Sequence, residues 1–247
     1  SISVPVPSEL KWFGAGYLPE WGPAFTGMNN STLLLGIIAI AVYVIAQMRK
    51  FTHSGDVTGK KEAFWPFAVR IGIVAAVIGY ATWLFGSGRP GTSFPIPGLI
   101  LVILIILYYL ITERTSFGRH VYAVGGNKSA AELSGVNVKR TYFLTMLNMS
   151  VLAAVAGILF VGRSTAAGPA DGTSWEMDAI ASVFIGGAAV SGGVGTVIAT
   201  MVGGLVMAVL NNGLMLMGVG ADKTQVIKGF VLLAAVAFDV YNKKNRG

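Results

Sequence analysis

The 247-residue sequence contains no cysteine, only two histidines and few charged residues. The absence of cysteine excludes a disulfide framework, a thiol nucleophile and a cysteine-ligated metal site. His53 and His120 lie far apart in the sequence, so neither a zinc site nor a histidine-dependent catalytic centre is expected. Charged residues make up 12% of the chain, about half the proportion found in an average soluble domain. The sequence therefore favours neither an enzyme nor a water-soluble domain.

Apolar segments, by contrast, are abundant: 54% of the residues are hydrophobic and the mean hydropathy is +0.68. A helix needs about 20 residues to cross a hydrocarbon core of about 30 Å. Seven segments are candidates, namely 33–48, 69–85, 96–112, 141–162, 179–190, 195–217 and 224–241. The first is short and should extend, and the fifth is so short that a broken or re-entrant helix is expected. The sequence thus predicts an all-α polytopic membrane helix bundle with about seven hydrophobic segments, one of them short or broken.

The basic residues argue for membrane orientation and against nucleic-acid binding. There are 18 Lys and Arg against 11 Asp and Glu, which gives a net charge of +7. The basic residues stand beside the ends of apolar segments and not on one soluble module, so no nucleic-acid partner is predicted. Seven spans that start outside place 49–70, 113–140 and 243–246 in the cytoplasm, and these segments hold most of the basic residues. We therefore expect a multi-pass membrane protein with a cytoplasmic C-terminus.

The fifth apolar segment carries signals for a helix that begins and soon stops. Thr173 and Glu176 have the spacing of a capping box, which predicts a helix that enters the membrane here. The glycine-rich stretch 186–195 then interrupts it. Irregular backbone at membrane depth is tolerated only inside the protein or along a water-filled cavity, and discontinuous helices of this kind often line transport routes. The resulting candidate path residues are Asp178, Ser182, Gly192 and Gly193.

Two features of the last two apolar segments leave alternatives open. Small or polar residues recur every fourth position from Thr196 to Asn212, with Gly203 and Asn211 in a neighbouring row. Such a stripe favours close helix packing, but Thr200, Asn211 and Asn212 are also candidates for facing a path for a polar solute, since buried amides need polar partners or water. Lys228 is interpreted as snorkelling to the outer surface, and the alternative is an inward polar contact.

A small, polar and basic segment separates the third and fourth apolar segments. It predicts a short helix over 129–133, with glycines before and after it. Ala130, Ala131 and Ser134 give this helix a flat face, and nearby basic residues can contact acidic side chains or lipid head groups. By composition alone, this is either a docking surface for another protein or an ordinary inner loop.

The loop and the segments after it resemble, in order, motifs of the permease subunits of bacterial ABC importers for ribose, xylose and related sugars. The matching stretches are 117–119, 126–135, 178–187, 191–195, 210–213 and 225–229, within a resemblance that runs from about Thr115 to Asp239. The resemblance implies that the loop is a coupling segment seated on a separate ATPase. Its candidate coupling residues are Gly125, Gly126, Asn127, Ala130, Ala131, Glu132, Ser134 and Gly135.

The same resemblance implies a single transmembrane permease domain over 1–247, with a cytoplasmic coupling loop at 113–140, in the bacterial inner membrane. The implied cargo is a pentose such as xylose or ribose. The implied partners are an ABC ATPase subunit, a periplasmic sugar-binding protein, a second permease copy in a homodimer and membrane lipid, with no cofactor and no metal. The chain would correspond to the C-terminal part of a longer permease. The alternatives are an ABC permease for nucleosides or another small solute, and a stand-alone channel or secondary transporter.

Overall fold

The computed structural model describes residues 4–22, 28–57, 64–87, 93–164, 166–169 and 171–244. In chain order the helices are α1 Ser8–Ala15, α2 Asn30–Val57, α3 Phe64–Gly86, α4 Ile96–Arg114, α5 Ser116–Gly126, α6 Lys128–Leu133, α7 Val138–Ser164, α8 Trp175–Ile185, α9 Val197–Leu216 and α10 Ala221–Lys244. Two short strands, β1 Val4–Pro5 and β2 Ala166–Ala167, pair antiparallel. The described part of the chain is thus all-α apart from this small ribbon, as the sequence predicts.

Among the described residues, six helices are long and apolar enough to cross a membrane. Their candidate spans are Asn30–Arg49, Trp65–Gly86, Ile96–Arg114, Val138–Ser164, Val197–Leu216 and Ala221–Tyr241. They account for six of the seven predicted segments, and the first of them extends as expected. The remaining segment forms α8, which has 11 residues and is therefore only about 16 Å long at 1.5 Å per residue. The prediction of one short segment is confirmed. Parts of two predicted cytoplasmic stretches, namely 58–63 and 245–246, lie outside the described residues.

The chain divides into two compact units, and the smaller one spans residues 7–99. In this unit α2 packs on α3 where Gly36 meets Thr82, and a Cβ at Gly36 would overlap the threonine side chain. Such small residues let two helices approach closely where lipid supplies no hydrophobic force. Backbone groups of the segments around α1 are paired as well: Ile96 N donates to Gly16 O over 2.9 Å, and Ser93 Oγ donates to Leu18 O over 2.6 Å.

The larger unit, residues 1–6 and 100–247, contains α8 packed against both α9 and α10. The closest approach is at Gly203 of α9, where a Cβ would collide with the backbone of Ser182 and lie 2.8 Å from Gly186 N. Gly203 and Met207 are buried on this face. The small-residue packing expected for α9 therefore exists. Its closest contact is at Gly203 in the neighbouring row, and Thr200 of the stripe also comes near, since a Cβ at Gly186 would lie 2.8 Å from Thr200 Cα.

Candidate functional site

The coupling segment, residues 113–140, is shaped by local capping interactions. Thr115 caps α5 by accepting from Gly118 N over 3.2 Å, and Asn127 caps α6 by accepting from Ala130 N over 3.0 Å. Gly135 has a left-handed φ of 83° and ends α6. Its N–H donates to Glu132 O, and Val136 N donates to Ala131 O, each over 3.0 Å. This is the hydrogen-bond pattern of a Schellman motif, so the segment has a defined turn at both ends of α6.

A small apolar core holds α6 against its neighbours. It consists of Val124, Ala131 and Val138, with Val136 packed against it. Ala131 is only 4% exposed, so its side chain points inward and fixes α6 in place. The other candidate coupling residues are exposed: Gly125, Gly126, Asn127, Ala130, Glu132, Ser134 and Gly135. The Ala131 side chain is therefore not part of the exposed surface of α6.

Sequence reasoning missed Leu133, which ends α6. Its side chain is 90% exposed, the largest value among the large hydrophobic residues described. Most of the others lie on membrane-spanning helices, where lipid can cover them, whereas Leu133 stands in a polar loop. The signal in the sequence was a single leucine in a six-residue helix that is otherwise small or charged.

The coupling segment touches the interrupted segment, residues 175–196, through glycine backbone. A Cβ at Gly125 would lie 2.8 Å from Gly193 N, and a Cβ at Gly192 would lie 2.5 Å from Gly125 O. Neither distance leaves room for a side chain, so only glycine permits this approach. Candidate coupling residues and candidate path residues thus meet in one backbone contact.

A tyrosine hydroxyl adds a directional bond to that contact. Tyr122 in α5 donates from its OH to Gly195 O over 2.8 Å. Burial raises the pKa of Tyr122 above its ordinary value, and the negative charge of Glu113 acts in the same direction. The hydroxyl therefore keeps its proton at physiological pH and remains a donor.

Within the interrupted segment, the helix α8 begins at Trp175. This is one residue later than the capping-box spacing of Thr173 and Glu176 predicts. Its N-cap is Ser174, which has a left-handed φ of 69° and makes no side-chain cap bond. At the other end Gly187 N donates to Phe184 O and Ala188 N to Val183 O, again in the Schellman pattern. Ala189 N then donates to Val194 O over 3.1 Å. These bonds pair some of the backbone N–H and C=O groups of the irregular stretch, which lipid could not pair at membrane depth.

A polar cluster joins α8 to α9 and α10. Lys228 Nζ lies 2.8 Å from Asp178 Oδ1 and donates to Asp178 Oδ2 over 2.9 Å. Asn211 Nδ2 donates to the same Oδ2 over 3.0 Å. The Lys228 and Asp178 side chains are 14% and 24% exposed. The snorkelling interpretation of Lys228 is therefore wrong. Leaving the Asp178 carboxylate unpaired would cost more free energy than turning the Lys228 side chain inward.

The other candidate path residues do not join this cluster. Ser182 Oγ donates to Asp178 O over 2.6 Å and Thr200 Oγ1 to Thr196 O over 3.0 Å, so both hydroxyls are bound within their own chain segment. Asn212 is exposed, one position beyond Asn211. Of the three polar positions proposed on α9, only Asn211 has a hydrogen bond to a residue of α8.

A second contact ties the interrupted segment to α10. Val190 N donates to Asp239 Oδ2 over 3.1 Å. Together with the ion pair between Lys228 and Asp178, this bond connects α10 both to the start of α8 and to the stretch that follows α8. Asp239 was not singled out by sequence reasoning, since a carboxylate near the end of a last helix is usually solvated.

A cavity of about 500 Å³ lies among α4, α5, α7 and α9. Its walls are mainly aliphatic and aromatic, with Tyr108, Phe117 and Tyr122 among the lining residues. The hydroxyl of Tyr108 donates to Asn148 Oδ1, so two of the few polar groups that line the cavity are hydrogen-bonded to each other. Within the described residues no group of three or more His, Asp or Glu could hold a metal ion.

Comparison with known proteins gives a consistent set of matches. Residues 13–236 match the family model described as branched-chain amino acid transport system / permease component. The xylose transport system permease protein XylH of Haemophilus influenzae is 34% identical over 240 residues, which cover 97% of this chain and 61% of the relative. The ribose import permease protein RbsC of Escherichia coli K12 is 41% identical over 160 residues, 65% of this chain and 49% of the relative.

RbsC of Bacillus subtilis is 39% identical over 160 residues, which cover 65% of this chain and 49% of that protein. The chain therefore spans only about half to three-fifths of the length of these curated relatives. No solved structure shows a significant match.

Proposed function

The chain belongs to the family of branched-chain amino acid transport system permease components, and from this premise we propose that it is the permease subunit of an ABC importer that moves a monosaccharide across the bacterial inner membrane. The names of the similar proteins, which are xylose and ribose permeases, favour a pentose over an amino acid. The six membrane-length helices supply the scaffold, and no residue of this chain performs covalent chemistry in the proposal.

The single observation that carries the proposal is that the coupling segment has an exposed surface on one side and contacts the interrupted segment on the other. On one side α6 offers an exposed surface that includes Leu133. On the other side Gly125 meets Gly193 at backbone distance, and Tyr122 is bonded to Gly195. A partner that pulls on α6 would therefore move the interrupted segment directly. This arrangement is what an importer driven by a separate ATPase needs.

The proposed mechanism uses binding energy from partner subunits. An ABC ATPase subunit binds α6, and a periplasmic sugar-binding protein delivers the sugar. A second permease copy completes the transporter within the lipid bilayer. ATP binding and hydrolysis shift the permease between outward-open and inward-open states, because the ATPase binds those two states with different affinity. The loop and the C-terminus are cytoplasmic in this arrangement.

The candidate residues divide by burial into two roles. The exposed coupling residues contact the ATPase, with Leu133 as an apolar anchor, while Ala131 holds α6 from inside. Lys128, Lys139 and Arg140 are exposed and meet acidic residues or lipid head groups. The proposed path residues remain Asp178, Ser182, Gly192, Gly193, Thr200, Asn211 and Asn212.

Leu133→Asp tests the proposal in the full-length importer. An exposed leucine that docks in a cleft loses its apolar contact when it becomes a carboxylate, whereas a fully exposed position tolerates the change in the free permease. We expect sugar uptake and sugar-stimulated ATP hydrolysis to fall by about tenfold or more, equivalent to about 1.4 kcal/mol or more of lost docking energy. Both are measured in proteoliposomes that contain permease, ATPase and binding protein.

Leu133→Met is the matched control, because it keeps an apolar side chain of similar size and should retain coupling. Full coupling in Leu133→Asp would contradict a docking role for α6. Uptake that persists without ATP would instead indicate a stand-alone channel or secondary transporter. ATP-driven uptake of nucleosides, with none of xylose or ribose, would move the assignment to a nucleoside permease.

A further inference from the structure

The cluster of Asp178, Asn211 and Lys228 has hydrogen-bonding capacity that the described residues do not use. Asp178 Oδ1 and Asn211 Oδ1 are both buried, and neither accepts a hydrogen bond from any described residue. Lys228 Nζ is close to Asp178 Oδ1, but only its contact with Oδ2 has hydrogen-bond geometry. Buried polar atoms in proteins are nearly always paired. Asp178 Oδ1 has the Lys228 ammonium 2.8 Å away, so the oxygen that indicates a missing donor is Asn211 Oδ1.

A structural role alone explains this cluster poorly. Desolvation of two charges costs about as much as their attraction returns, and well-packed apolar residues often hold helices together equally well. The glycine contacts of Gly203 with the Ser182–Gly186 backbone already bring α8 and α9 together. The ion pair joins α8 to α10 instead, where an apolar pair would pack at no greater cost in stability.

The charges of the cluster cancel, which limits the ligands that suit it. Lys228 neutralises Asp178 at a distance of 2.8 Å, so the site has no net charge for attracting ions. It still presents acceptors on Asp178 and Asn211 together with ammonium and amide N–H donors. Adjacent hydroxyls of a sugar need this combination, because each hydroxyl donates one hydrogen bond and accepts others.

We propose that Asp178, Asn211 and Lys228 bind hydroxyl groups of the transported monosaccharide, an inference that rests on the proposed transport function. Sugar hydroxyls donate to Asp178 Oδ1 and Asn211 Oδ1 and accept from the Lys228 ammonium. Because Asp178 Oδ1 and Asn211 Oδ1 are buried in this structure, α8 has to move relative to α9 or α10 for the sugar to reach them. Because Asp178 and Lys228 satisfy each other when no sugar is present, binding stays weak enough for release, as a transport path requires.

Two double variants of the full-length importer separate this role from a structural one. Asp178→Leu with Lys228→Met keeps an apolar, packed junction but removes every donor and acceptor of the pair. Asp178→Asn with Lys228→Gln removes the charges but keeps hydrogen-bonding groups. Both are reconstituted with the ATPase and the binding protein, and initial uptake of radiolabelled xylose and ribose is measured alongside the thermal midpoint of the purified permease.

We expect the apolar pair to lose about tenfold or more of the uptake rate, while its thermal midpoint stays equal to or above that of the wild type. The amide pair should stay within about threefold of the wild-type rate, since neutral groups still bind hydroxyls. Asn211→Leu should also impair uptake, because it removes the amide that bonds to Asp178.

Wild-type uptake in the apolar pair would overturn the inference and leave a helix-packing role. Equal loss in the apolar and amide pairs would also overturn it, since the cluster would then need charge and not hydrogen bonds. These outcomes are distinct from a failure of the proposed function, in which the wild-type importer itself moves neither xylose nor ribose.

Discussion

The coupling segment and the interrupted segment are built from the same local parts but are held by different kinds of contact. Each contains a short helix that ends at a left-handed glycine, Gly135 with φ 83° and Gly187 with φ 82°. The coupling segment is stabilised by neighbours in sequence, such as the cap of Asn127 on Ala130 N. The interrupted segment depends on residues of α9 and α10, with partners 33 and 50 positions away from Asp178. One shape is therefore encoded locally and the other by distant helices.

The largest expected effect comes from comparing glycines with the same backbone conformation in the two segments. Gly192 has φ 82° and a Cβ there would lie 2.5 Å from Gly125 O, whereas Gly135 has φ 83° and nothing within 4 Å. Gly192→Ala should therefore lower the free energy of unfolding by roughly 2 to 5 kcal/mol, from backbone strain plus overlap. Gly135→Ala should cost only about 1 to 2 kcal/mol, from strain alone.

Denaturant unfolding of the purified full-length permease in detergent measures both changes. Uptake provides a second readout, because Gly192→Ala separates the two segments and should uncouple transport. Equal destabilisation by the two variants would mean that the glycine contact between the segments does not form.

A second comparison lies within α6, where two adjacent alanines differ in burial. Ala131 is 4% exposed and packs with Val124 and Val138, whereas Ala130 is exposed. Ala131→Trp should overfill the small core and lower the free energy of unfolding by about 1 to 3 kcal/mol. Ala130→Trp should leave stability nearly unchanged and reduce ATPase stimulation, because the bulk lies on the docking face.

The thermal midpoint without ATPase and the stimulated ATP hydrolysis of the full complex distinguish the two effects. Loss of coupling in Ala131→Trp with an unchanged midpoint would instead show that Ala131 contacts the ATPase directly.

Sequence reasoning succeeded where the determinants are local. Apolar segment lengths gave the long helices and the short α8, and the glycine at 135 marked the end of α6. It failed where the outcome depends on which helices become neighbours. Lys228 is predicted to reach the surface because it lies near the start of the last span. Its partner Asp178 lies 50 residues earlier, and no periodic pattern links the two.

The position of closest packing on α9 also depends on a neighbouring helix. Gly203 and Gly204 are equally small, and only the position of Ser182 on α8 decides which of them is needed. The inward orientation of Ala131 likewise follows from Val124 and Val138 on the flanking helices, which composition alone does not reveal.

The smallest expected effect concerns the one side-chain hydrogen bond that joins the two segments, from Tyr122 OH to Gly195 O. Tyr122→Phe removes the hydroxyl and leaves the carbonyl without this donor, so stability should fall by about 1 kcal/mol. Because the glycine contact remains, uptake should decline only modestly. No change in either quantity would mean that the glycine backbone alone joins the segments.

The pH dependence of this bond has a defined sign. Burial, with a further contribution from Glu113, raises the pKa of Tyr122 in the folded protein, so the folded state holds the phenolic proton more tightly than the unfolded chain. The contribution of Tyr122 to stability is therefore complete below the ordinary tyrosine pKa of about 10 and is lost as the pH rises through the folded value. Unfolding measured from pH 8 to pH 11 should show a steeper alkaline loss in the wild type than in Tyr122→Phe. Parallel curves for the two proteins would place the phenol in water and remove the bond as a link between the coupling and interrupted segments.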